Sequence, residues 1–157
     1  FASFVMLLNF TRFGKMKGMG QIVAWSIRDE SHHVESMIKL LHAVLDEMPH
    51  VWNDDFKATL YQICRDMVGL EDKFIDLAFG MGPVEGLNPG EVKQYIRHIA
   101  DRRLLQLGLK PNYGVKDNPL EWVDWIVGGV EHTNFFENRA TEYAKGTLTG
   151  TWDEAFN

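Results

Sequence analysis

Between residues 21 and 47 apolar residues recur at helical spacing without a break. Val23, Ile27, Val34, Met37, Leu41 and Val44 fall on one stripe. A period this long commits the segment to a helix whose stripe must be buried against other helices. Two polar residues intrude on it. In "SIRDESHHVESMIKLL", residues 26–41, Glu30 and His33 lie within the apolar face and Asp29 stands beside them. An ionised carboxylate facing a core is costly unless it is paired or binds a metal.

The rest of the chain also reads as helices. Residues 1–13 are an apolar helix end closed by Gly14 and the region of Gly18 and Gly20, and their opening "FASFVMLLNF" has neither Met nor cap, as though entered in mid-helix. Met48-Pro49 ends the long helix, since the residue before proline resists the helical conformation. Asp54 and Asp55 open a third helix, with Leu60, Ile63, Met67, Leu70, Phe74 and Leu77 on one face. The glycines and prolines of "FGMGPVEGLNPGE" break it. Asn88 as cap, Pro89 at the first position and Glu91 at the third start a fourth helix that stops at Gly108. "PLEWVDWIVGG" is a short helix or turn whose Trp122 and Trp125 are assigned to packing. After Gly129 periodicity fades into a Thr/Gly-rich arm in which Trp152 and Phe156 would share a face if it folded on a partner. The expectation is an all-α chain, with residues 1–130 in a helical domain and 131–157 a flexible tail.

A chain of 157 residues with 45% hydrophobic residues can bury one sizeable core. Its net charge of −6 is spread without a basic run, which argues against nucleic acid as a partner. No apolar run approaches the roughly 20 residues of a membrane span, and no secretory pattern opens the sequence. The single cysteine, Cys64, excludes an internal disulfide, fits a reducing cytoplasm and reads as a small buried hydrophobe.

Glu-x-x-His puts a carboxylate and an imidazole on one helix face about a turn apart, within reach of one metal ion, as in dinuclear carboxylate bundles. Spacing alone is weak. Glu47 and His50 repeat it around Pro49 at a helix end, where it is accidental. Glu30 and His33 are therefore either metal ligands or a satisfied core pair. His32 and Glu35 face solvent or the edge of the stripe. Asp29 is either a carboxylate orienting a ligand histidine across the bundle or a surface residue paired with Arg28 or Lys39. A dinuclear site needs two Glu-x-x-His helices and two more carboxylate helices, and this chain offers one such motif.

The segments "FASF", "IRDESHH", "GLNPGEVKQYIRHIADRRLLQLGL", "NPLEWVDWI" and "TNFFENRATEYAKG" occur in an order and spacing that resemble the small, radical-generating β subunit of class I ribonucleotide reductase. The resemblance spans nearly the whole chain and aligns it with that subunit's C-terminal half. It implies part of a ferritin-like helical bundle around a dinuclear metal centre, Fe/Fe or alternatively Mn/Fe, with Glu30 and His33 ligating the second metal. The family's remaining ligands, an Asp, a Glu-x-x-His pair and a Glu, fall ahead of the position matching Phe1, as does its radical tyrosine.

Further roles follow from the same resemblance. Asp29 matches an Asp on the radical path, Tyr143 the tail tyrosine that relays the radical, and Glu137 a tail Glu of that transfer. Phe4 matches an aromatic of the pocket around the radical site. The implied partners are the subunit's N-terminal half, lost or a separate chain, a second small subunit, and the large subunit through the tail. Another ferritin-like di-metal oxidase and a non-catalytic helical module are the rival readings.

Overall fold

In a computed structural model, which describes residues 1–131, every regular element is helical, and no strand occurs among the described residues. The order is α1 (Ala2–Arg12), α2 (Lys17–Glu47), a single 3-10 turn (Pro49–Val51), α3 (Asp54–Gly80), α4 (Pro89–Gln106) and α5 (Glu121–Glu131). The all-α expectation holds. Glu137 and Tyr143 lie outside the described residues, as does the expected tail.

Local chemistry sets most boundaries. The Asn53 side chain accepts from the Phe56 amide at 2.9 Å and opens α3, one residue ahead of the expected acidic pair. Asn88 accepts from the Gly90 amide at 2.7 Å, with Pro89 next, and opens α4 as expected. One boundary differs. Gly18 and Gly20 do not end α1 but lie within α2, both buried. A Cβ on Gly20 would collide with the Thr11 side chain, so the glycine lets α1 and α2 approach closely. The reversal comes earlier, where Gly14 takes φ +71° and Met16 φ +47°.

The short helix α1 is the centre of the fold. Its Val5 and Leu8 are 2% and 0% exposed, in a core shared with Val23 of α2, Val68 and Ile75 of α3, and Val92 and Ile96 of α4. Thr11 against Gly20 at one end, and Phe4 sharing a cleft with Ile27 at the other, make α1 antiparallel to α2. Along α3 it runs in the same sense. The first residues of α1 meet Glu71 and Asn9 donates to the Glu85 carbonyl at 2.7 Å, just past the end of α3. A bidentate ion pair joins α4 to α3, Arg97 Nη1 and Nη2 lying 3.0 and 2.6 Å from the two oxygens of Asp72. This contact holds the Arg97 guanidinium above its ordinary pKa.

Two packing expectations are corrected. The face of α3 read from periodicity is not the covered one, since Ile63, Met67, Leu70, Phe74 and Leu77 are all exposed while Val68 and Ile75 make the contacts. Trp125 is 73% exposed, whereas Trp122 packs against the core under the Arg12 guanidinium, 5.1 Å from its ring centroid.

Candidate metal centre

The stripe of α2 is buried beside α1 and only partly covered beyond it, with Val34, Leu41 and Val44 half-buried. Val23 is 7% exposed and Ile27 packs on the core, but Met37, on the same face two turns past Glu30, is 63% exposed. Glu30 and His33 fall in this partly covered stretch, with side chains 60% and 72% exposed. The expectation of a buried pair is corrected for this reason. What persists is convergence: His33 Nδ1 stands 3.6 Å from Glu30 Oε2 across one helical turn. Asp29 is exposed beside them, as are His32 and Glu35.

Glu30 borders a cleft of about 290 Å³ between α1, α2 and α4, with Phe1, Phe4, Ile27 and Val34 as its apolar walls and Arg103 at one side. Phe4 therefore shares a cleft with the carboxylate of the motif. Phe4, Ile27, Ser31 and Arg103 also line a second cleft of about 390 Å³, which extends to Glu35, Tyr95 and Asp124. Burial, and then the Asp124 carboxylate, push the Tyr95 hydroxyl up to about 12. Burial and the adjacent Arg102 hold the Arg103 guanidinium below its ordinary range. Neither Tyr95 nor Arg103 stands out in the sequence. Tyr95 looks like one more apolar position of α4, and Arg103 like part of a solvated basic pair.

Imidazole nitrogen and carboxylate oxygen bind first-row divalent ions at about 2.1 Å, so donors 3.6 Å apart lie within reach of one ion. The donor set is chemically right and numerically short. Among the described residues no three His, Cys, Asp or Glu side chains are grouped to hold a metal. The chemistry of the pair fits part of a metal site.

A second polar constellation escaped the sequence reading. Asp101, 3% exposed on α4, accepts from the amides of Asn112 and Tyr113 through Oδ1, at 2.8 and 3.0 Å, and of Val115 through Oδ2 at 3.0 Å. His98, 8% exposed, holds the Val115 carbonyl at 3.3 Å. These bonds clamp the loop after α4 and carry no sign of a reactive site.

Comparison with known proteins gives this geometry its setting. Residues 1–119 match the model of the family "Ribonucleotide reductase, small chain". The chain is 51% identical over 153 residues to the probable ribonucleoside-diphosphate reductase small subunit 048L of Invertebrate iridescent virus 3, covering 97% of this chain and 41% of that one. It is 36% identical to the ribonucleoside-diphosphate reductase subunit beta of Chlamydia pneumoniae, over 91% of this chain and 41% of the other. The solved ribonucleotide reductase R2 subunit from Clostridium botulinum superposes with a TM-score of 0.76 at 25% identity, over 80% of this chain and 40% of that one. The chain thus spans about two fifths of the length of these relatives. With the family model covering α1 to α4 and the Glu30–His33 turn within it, the chain belongs to the ribonucleotide reductase small-chain family.

Proposed function

We propose that this chain supplies one part of a dinuclear metal centre in a class I ribonucleotide reductase small subunit. The observation that carries the reading is the convergence of Glu30 and His33, 3.6 Å apart, at the edge of the cleft lined by Phe4. Glu30 and His33 would hold one metal, Fe/Fe being the favoured pair and Mn/Fe the alternative. When bound, such a centre supplies the one-electron oxidising chemistry that this enzyme class uses to reduce ribonucleotides. The chain's own residues bind, orient and shield. Glu30 contributes negative charge, and His33 must be neutral at the ligating nitrogen. Phe1, Phe4, Ile27 and Val34 give the cleft beside the carboxylate apolar walls. Asp29 would orient a ligand histidine from another helix. Glu137 and Tyr143 would carry the oxidising equivalent through the tail to the large subunit. The remaining ligands would come from the half of the fold this chain does not span, and the assembled subunit would be a homodimer. The lone cysteine suits a reducing, cytoplasmic setting.

The test combines this chain with the portion of the iridescent virus 3 subunit that it does not span and measures ferrous iron retained after desalting. Metal bound by the pair, and lost with Glu30→Ala or His33→Ala, is the expected result. Unchanged iron in either variant removes both residues from the ligand set. Deleting residues 137–157 should spare the iron and abolish turnover with a large subunit; turnover that survives the deletion refutes the tail roles.

A further inference from the structure

Ile63, Met67, Leu70, Phe74 and Leu77 of α3, and Met81 capping its C-terminus, follow one another at intervals of four and three residues. That is the spacing of a coiled-coil seam, narrower than the broad face of a helix lying on a globular core. In the structure the seam is bare. Leu70 is 57% and Leu77 71% exposed, whereas Val68 and Ile75 on the opposite side are 5% and 0%. Thus α3 carries two apolar faces, of which α1 and α4 cover one. A contiguous exposed stripe of this kind marks an interaction surface.

We propose that the outer face of α3, from Ile63 to Met81, docks one amphipathic helix belonging to the part of the small-chain fold that this chain does not span. The inference rests on the proposed function and names where the second half seats.

Three observations select this occupant. A four-and-three seam is matched by another helix with the same seam, crossing at a shallow angle. The stripe from Ile63 to Met81 is roughly 27 Å long, a match for a helix of five turns. The viral and bacterial relatives have more than half their length beyond the matched region, ample to supply it. A second copy of the chain is the rival, since antiparallel α3 helices would set Asp66 against Lys73. It leaves more uncovered, however. Met37 and Leu40 of α2 are 63% and 55% exposed, and one pair of α3 helices would not account for them. Helices from the remaining half of the fold can cover both faces. Asp66 and Lys73 flank the seam, so the docked helix should place a basic residue against the first and an acidic one against the second.

The experiment uses the full chain and, as probe, the portion of the iridescent virus 3 subunit outside the matched region, in buffer containing EDTA. Leu70→Glu and Leu77→Glu change exposed side chains, so circular dichroism should show both variants folded. A one-to-one complex weakened at least tenfold by each variant, and unaffected by Lys116→Glu at an exposed position off the seam, is the expected result. A complex that ignores both variants overturns the proposal, as does the absence of any complex. Self-association of the chain alone that Leu70→Glu abolishes also overturns it, in favour of the second copy. Because metal is excluded, the docking result is separable from the metal reading. A complex that forms through α3 yet takes up no iron would refute the metal site and leave the docking surface standing.

Discussion

The imidazole of His33 stands 3.6 Å from the carboxylate of Glu30 on a turn of α2 where both side chains are more than half exposed. A pair this exposed gains little from its own attraction. Glu30→Ala and His33→Ala should therefore each leave the stability of the chain within about 0.5 kcal/mol of the parent. Urea unfolding followed by circular dichroism checks this. A loss of several kcal/mol would instead identify a core pair, the bland alternative that the motif leaves open in the sequence.

Asp101 has the opposite character. Its carboxylate is buried and accepts three backbone amides. Removing it strands donors in a place water reaches poorly. Asp101→Ala should cost about 3 kcal/mol, and Asp101→Asn less, because an amide oxygen still accepts from Asn112 and Tyr113. The urea midpoint reports the cost. Amide exchange at Asn112, Tyr113 and Val115 should accelerate in both variants, whereas unchanged exchange would mean that the loop is held by something else.

These two sites show what the sequence could and could not convey. The helices were legible because their periodicity and caps are local: Asn88-Pro89 starts α4 in the structure as in the sequence. Coverage was not, since it depends on which neighbour a helix meets. In α3 the stripe from Ile63 to Leu77 is the stronger periodic signal, yet the weaker set around Val68 and Ile75 is buried. The same reasoning placed Glu30 on the right face of α2 and assumed that the face was covered. Asp101 sits in "HIADRR" among charges and looks solvated, because its partners are main-chain amides, which carry no residue signature.

Tyr95 makes stability depend on pH at the alkaline end. Burial raises its hydroxyl to about 12, against the ordinary value of 10.0 that an unfolded chain retains. The fold thus favours the neutral phenol. Its contribution is complete below pH 10 and declines as pH climbs from there toward 12, where the unfolded chain releases the proton first. Tyr113 shifts in the same direction and adds to the trend. In Tyr95→Phe the fall in urea midpoint across this window should be smaller than in the parent. Equal falls would show that the hydroxyl at Tyr95 titrates normally.

Gly20 and Gly69 offer a matched pair of helical glycines in which one physical term changes. Alanine in place of glycine inside a helix gains up to about 1 kcal/mol from the backbone alone. At Gly69 nothing lies within 4 Å of the added methyl, so Gly69→Ala should stabilise by close to that amount. At Gly20 the methyl would fall onto Oγ1 and Cβ of Thr11, a β-branched side chain with little freedom to turn aside. Relief requires α1 and α2 to separate, which loosens the contact of Val5 and Leu8 with Val23. Overpacking of this kind costs about 2 kcal/mol, enough to reverse the backbone gain. Thermal melts of the two variants should shift in opposite directions, Gly69→Ala up and Gly20→Ala down. A rise for both would mean that α1 and α2 have slack at their crossing and that Gly20 is not what sets their separation.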